Sequence, residues 1–105
     1  MRVAIASTGN TLDSNICQQF GRCEYFIIYD TESKATEFIP NPFKDLAEGS
    51  GQAALKLVTS RKVSKIISGD FGIKIKPTID RLKIQMIVLK DVEKKINDII
   101  DMLNH

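Results

Sequence analysis

Residues 24–40 read EYFIIYDTESKATEFIP, and this stretch decides the fold. Glu24 to Asp30 places Tyr25, Phe26, Ile27, Ile28 and Tyr29 in one unbroken run of aromatic and β-branched side chains, which marks a strand. Thr31-Glu32-Ser33 is a short turn, and Ala35 to Ile39 reads as the returning partner of an antiparallel hairpin. Pro40-Asn41-Pro42 ends that strand, because proline has no N–H for a ladder. Upstream, Arg2 to Ser7 is a first strand whose Val3, Ile5 and small Ala4 and Ala6 suit cover on both faces. Thr8-Gly9-Asn10-Thr11 after it is a loop signal.

Downstream of the hairpin, helices and strands alternate. Gly49-Ser50-Gly51 precedes a helix from Gln52 to about Ser60, with Ala54, Leu57 and Val58 on one face and Ser50 as the expected N-cap. Val63 to Ser68 is a buried-strand run closed by Gly69-Asp70-Phe71-Gly72. A second helix is expected over about Ile75 to Leu82, with Pro77 in its first turn. Ile84 to Leu89 is a further strand. Asp91 to Leu103 is a helix striped by Val92, Ile96, Ile99, Ile100 and Leu103, with Asp91 as its cap. The order β, ββ hairpin, α, β, α, β, α predicts an α/β fold: a mixed sheet with helices packed on its faces.

The chain has 105 residues, 43% hydrophobic and 27% charged, which fits one globular domain over residues 1–105 without repeats or linkers. No apolar run approaches the ~18–20 residues that cross a bilayer, so no membrane association is expected. Met1 to Ala6 lacks a signal peptide's apolar region, and a cytoplasmic location is expected. Two cysteines cannot build a four-thiolate zinc site in one chain, and a reducing cytosol disfavours a structural disulfide.

Charge is uneven. Met1 to Leu55 holds four basic and seven acidic residues, Lys56 to Lys83 eight basic and two acidic, and Ile84 to His105 three basic and four acidic. The basic third quarter reads either as solvated helix surface or as an attractor for a small anion. Nucleic acid is not expected as a partner, because of the seven aromatics only Phe71 lies among those charges.

No G-x-G-x-x-G or G-x-x-x-x-G-K-[ST] occurs, so dinucleotide and P-loop sites lack their motif. The single histidine, His105, leaves no Ser-His or Cys-His pair in the body of the chain. No acid lies on the first strand, and Asp30 and Asp70 read as turn formers at strand ends, which argues against a metal-dependent hydrolase. An enzyme is therefore not expected.

Three features remain. Cys17-x5-Cys23 brackets Phe20-Gly21-Arg22; its readings are one buried and one incidental thiol, a metallocluster contact, or a redox pair. Two thiolates are half a cluster shell, so a cluster would need a second copy of the chain or exogenous ligands. Gly49-Ser50-Gly51 opens a helix, where free N–H groups and the dipole suit an anion, or simply forms a loop into a helix. Gly69-Asp70-Phe71-Gly72 follows a buried strand, where open α/β sheets bind ligands, although turn chemistry alone also calls for glycine there.

Taken in order, Arg2 to Ala6, Leu12-Asp13-Ser14, Phe20-Gly21-Arg22 with Tyr25-Phe26, Asp30, Asn41-Pro42, Gly49-Ser50-Gly51-Gln52-Ala53-Ala54 and Gly69-Asp70-Phe71-Gly72 resemble the dinitrogenase iron–molybdenum cofactor biosynthesis family, which includes NifX and the C-terminal domain of NifB. The likeness spans nearly the whole chain. It implies a ribonuclease H-like, three-layer α/β/α fold with a five-stranded mixed sheet. It also implies a non-catalytic protein that binds an iron–sulfur or iron–molybdenum type cluster and exchanges it with a donor or acceptor protein. Many members carry a histidine just before F-G-R and another before the glycine-rich helix start; here Gln19 and Ala47-Glu48 stand at those places. Cys17 and Cys23 are the soft donors nearest the first substitution, and Arg22 can pair with an anionic ligand. The cofactor-binding set expected on this basis is Cys17, Gln19, Gly21, Arg22, Cys23, Gly49, Ser50, Gly51, Gly69, Asp70 and Gly72, with Cys17 and Cys23 as metal ligands and a homodimer as one way to complete the shell. The other reading is a regulatory module that binds a small anion or nucleotide at Gly49-Ser50-Gly51.

Overall fold

Long apolar runs at residues 2–7 and 25–30 cannot face water, and they form the centre of the sheet. In the computed structural model, which describes residues 1–91 and 93–104, β1 is Arg2–Ser7, β2 Tyr25–Asp30, β3 Thr36–Pro40, β4 Lys65–Ser68 and β5 Gln85–Val88. Helices α1 (Ser50–Thr59), α2 (Lys76–Arg81) and α3 (Ile96–Leu103) complete it. The strand order is β3-β2-β1-β4-β5. The sheet is mixed: β1–β2 and β2–β3 run antiparallel, while β1–β4 and β4–β5 run parallel. Beside the expected hairpin there is thus a second antiparallel pair, β1–β2, joined by the long segment 8–24.

Alternation along the strands sends side chains to two cores. Ala4, Ala6, Phe26, Ile28 and Ile66 point to the face covered by α1 and α2 through Ala54, Leu55, Val58 and Ile79. Val3, Ile5, Ile27, Tyr29 and Ile67 point to the other face, under Ile96, Ile99 and Ile100 of α3. The result is three layers, α/β/α. Among the described residues no helix is long and apolar enough to cross a membrane.

Two helix starts differ from the sequence reading. Helix α3 begins at Ile96, not Asp91. The Asp91 carboxylate accepts from Glu93 N at 3.1 Å, Ile16 N donates to Lys94 O at 2.8 Å and Asn15 bridges to Lys95, so Lys94 and Lys95 are spent on pairing with the 8–24 segment. Ile96 N and Asn97 N donate to Ser14 O and Leu12 O, both at 2.9 Å, so loop carbonyls cap α3 in place of a side chain. Val92, expected on its stripe, and His105 lie outside the described residues. Helix α1 begins at Ser50, and its N-cap is Gly49 at φ +78°, a conformation glycine adopts without strain. Ser50 is therefore the first helical residue and not the cap.

Candidate functional site

The chain leaves β1 and β4 in opposite directions, toward β2 and toward β5, which makes the carboxyl ends of these two neighbours the switch point of the sheet. Segment 15–20 crosses both ends. Cys17 N donates to Ala6 O at 2.8 Å, Gly69 N donates to Cys17 O at 3.0 Å, and Phe20 N donates to Asp70 O at 2.9 Å. Gln19 and Asp70 pair as an isolated parallel bridge. Gly69 is required by this crossing, since a Cβ there would stand 2.7 Å from Gln18 Cα. Segment 20–22 then makes one 3-10 turn, an element no periodicity announces. Phe20 anchors it from beneath, with ring centroids 5.0 Å from Phe26 and 5.5 Å from Phe71.

That turn lies directly on the start of α1. A Cβ on Gly21 would meet Gly51 N at 2.7 Å, Gly51 Cα at 2.8 Å and Ser50 Oγ at 2.9 Å. Asn41, buried behind the turn, donates through Nδ2 to Gly21 O at 3.2 Å and Cys23 O at 2.9 Å, and its Oδ1 accepts from Phe43 N at 3.1 Å. The guanidinium of Arg22 donates through Nη1 to Lys44 O at 2.7 Å and to Leu46 O, which ties down loop 42–48. Between the turn, α1 and the loop after β4 opens a cleft of about 410 Å³, within the usual size for small-ligand sites.

Gln19, Gly21, Arg22, Gly49, Ser50, Gly51, Asp70 and Gly72 all lie on this cleft, whereas Cys17, Cys23 and Gly69 do not line it. Asp70 has a structural task there: its Oδ1 accepts from Phe71 N at 2.7 Å and Gly72 N at 3.2 Å, folding the turn in which Gly72 sits at φ +76°. The sequence reading did not single out Gln52, Lys74 or Glu48 as site residues, and they also line the cleft. Gln52 Nε2 donates to Lys74 O at 3.2 Å and joins α1 to the loop after β4. The Gln-Ala-Ala that follows Gly51 was the available signal for Gln52. Of the basic third quarter only Lys74 reaches the cleft; Lys56, Lys62, Lys76, Arg81 and Lys83 are exposed surface.

The two thiols sit beneath the turn. Cys23 is 1% exposed and belongs to the α1-side core, while Cys17 is half-buried and packs on that core. Cys23 Sγ lies 3.3 Å from Phe20 O and within hydrogen-bond reach of the Cys17 sulfur. The hydrogen bond from Cys23, together with backbone hydrogen bonds at Gln19 and Gln18, brings the Cys17 thiol down to about 7 against the opposing effect of burial. Burial pushes the Cys23 thiol far up. Among the described residues no cluster of three or more Cys, His, Asp or Glu side chains gathers to hold a metal.

One prediction arises here. A thiolate, not a thiol, attacks an alkylating agent. Because the Cys17 pKa is lowered, iodoacetamide should modify one thiol per folded chain, at a rate that climbs through a midpoint near pH 7. In Cys23→Ala the donor is gone and the midpoint should move upward. Two thiols reacting together in the folded chain would contradict this arrangement.

The family model described as dinitrogenase iron-molybdenum cofactor matches residues 1–104. The chain belongs to this family. Among solved structures, it is similar to a candidate NifB protein from Thermotoga, at 33% identity and TM-score 0.81, covering 95% of this chain and 84% of that one. It is also similar to a candidate dinitrogenase from Methanocaldococcus jannaschii, at 25% identity and TM-score 0.63, covering 98% and 90%. The orange protein of Desulfovibrio gigas, in its apo form, shares the fold at 22% identity and TM-score 0.85, covering 95% and 83%. Comparison with curated proteins gives no match. The five-stranded mixed sheet that the resemblance implied is present, and the cleft lies between the Phe20-Gly21-Arg22 turn and the Gly49-Ser50-Gly51-Gln52 helix start.

Proposed function

We propose that the chain is a non-catalytic carrier or accessory protein that receives an iron–sulfur or iron–molybdenum type cluster and passes it to a partner protein. The observation that carries this reading is the family match over residues 1–104, together with Cys17, a half-buried thiol beneath the turn that borders the cleft. The cluster is cargo: a carrier needs donors that hold it reversibly, not a closed shell. Cys17 is the accessible sulfur donor, already poised to ionise near neutral pH, and soft thiolate suits thiophilic metals. Cys23 stands directly behind it and joins the metal only if the turn opens. With two sulfurs per chain, exogenous thiols or a second copy supply the remaining ligands, and the family histidines replaced here by Gln19 and Ala47-Glu48 leave that part of the work to them.

Anaerobic reconstitution with iron and sulfide tests this. A visible charge-transfer band should develop in the wild type and fall to background in Cys17→Ser, with gel filtration reporting whether one or two chains hold the cluster. A wild-type chain that shows no band under these conditions removes the carrier reading. The second reading, a module for a small anion, is favoured by the start of α1, where the N–H groups of Ser50, Gly51 and Gln52 have no acceptor among the described residues and no acidic residue stands in the first turn.

A further inference from the structure

We infer that Cys17 and Cys23 are a reactive dithiol that exchanges with a small organic disulfide and closes to an intramolecular disulfide beneath the Phe20–Arg22 turn. The fold sets the two side chains against one stretch of main chain. Cys17 N donates to Ala6 O at 2.8 Å, which pins Cys17 to the end of β1, and Cys23 stands two residues before Tyr25, the β2 partner of Ser7. The Cys17 thiol donates to Gln19 O at 3.5 Å and the Cys23 thiol to Phe20 O at 3.3 Å. These carbonyls belong to consecutive residues, so both sulfurs gather under one short stretch of chain, within hydrogen-bond reach of each other. Both also pack in or on the α1-side core. Asn41 holds the Cys23 end, donating to Cys23 O at 2.9 Å with its Nδ2 3.9 Å from the sulfur. The chain has no other cysteine, so each thiol has one intramolecular partner.

Exposure sets the order of reaction. Cys17 is half-buried and reachable, whereas Cys23 is 1% exposed and shielded from a bulky reagent. The Cys17 sulfur therefore attacks first. A bond forms from it to one sulfur of the small disulfide, the small disulfide's own bond breaks, and the first small thiol leaves with the Cys17 proton. The Cys23 sulfur then attacks the Cys17 sulfur, the mixed disulfide breaks, and the second small thiol leaves with the Cys23 proton. The protein has lost two hydrogens and two electrons, and one small disulfide has become two thiols. The bonded sulfurs draw to about 2.05 Å, so closure acts on residues 19–22, which line the cleft. On the carrier reading, on which this consequence alone rests, the closed form has no free sulfur donor and takes up no cluster.

The test equilibrates the metal-free chain without oxygen in glutathione buffers with a rising share of glutathione disulfide. Samples are quenched in acid, unfolded, alkylated with iodoacetamide and weighed by mass spectrometry. The wild type should pass from two alkylated thiols to none, with the loss of two hydrogens and no glutathione retained, and dithiothreitol should reverse the change. Cys23→Ala should keep one glutathione on Cys17, because nothing displaces it. Cys17→Ala should stay unmodified while folded, because Cys23 is out of reach. Circular dichroism melts establish that both variants are folded, and the wild-type measurement decides the matter if either is not. A wild-type chain that stays reduced in glutathione disulfide, retains glutathione on Cys17 or pairs only between chains overturns the inference. Oxidised wild type should give no iron–sulfide band and regain it after dithiothreitol. Disulfide closure without a band in the reduced chain removes only the carrier reading; a band in the reduced chain without disulfide closure removes only this inference.

Discussion

Phe20→Ala should destabilise the chain by about 3–5 kcal/mol, the usual cost of deleting a buried aromatic ring. The ring is 1% exposed and is the contact between the 3-10 turn and the sheet, touching Phe26 of β2 and Phe71 of the loop after β4. Its loss removes transfer energy and both aromatic contacts, and it leaves a cavity that the surrounding main chain cannot fill, because residues 17–20 are fixed by hydrogen bonds to β1 and to the loop after β4. Against a total stability of about 5–15 kcal/mol for a domain of this kind, the change is large. Urea unfolding should show a much lower midpoint with an unchanged slope, since the same surface is exposed on unfolding. A loss below about 1 kcal/mol would mean that the turn is held chiefly by its main chain, contrary to the packing described.

Gly21→Ala is the second. The added methyl carbon meets main chain, Gly51 N at 2.7 Å and Gly51 Cα at 2.8 Å, so no side-chain rotation relieves it. Either the turn lifts or α1 slides. We expect about 1–3 kcal/mol of lost stability and a collapse of whatever the cleft binds, since the methyl also covers Ser50 Oγ. Gly49→Ala is the instructive contrast. Nothing lies within 4 Å of its Cβ, yet φ is +78°, so its penalty of about 1–2 kcal/mol comes from backbone conformation alone. Urea midpoints for the two variants, with anion titration of Gly21→Ala, separate the mechanisms. A Gly21→Ala chain with wild-type stability and binding would show that the turn does not rest on α1 as closely as the structure has it.

Much of the scaffold was legible because its signals are local. The aromatic run at 25–29, the prolines at 40 and 42 and the glycines around 49–51 and 69–72 each reveal a strand, a stop or a turn within a few residues. The start of α3 was not legible, because what sets it at Ile96 is the pairing of Lys94 with Ile16 and of Ile96 with Ser14, some eighty positions away in the chain. The 3-10 turn escaped for a related reason: three residues carry no periodicity, and contacts distant in sequence, with Phe26, Asn41, α1 and the loop after β4, define them. In the site, glycines and the flanking Gln19, Arg22 and Asp70 could be placed by motif. The depth of Cys23 could not, because F-G-R-C gives no sign of which side of the turn faces the core.

The closeness of Gly21 to Gly51 has a consequence for descent. The rim of the cleft is shaped by main chain meeting main chain, not by the side chains that project into it. Residues such as Gln19 and Ala47 can therefore be exchanged during evolution without rebuilding the walls. The same bowl can thus carry a different lining.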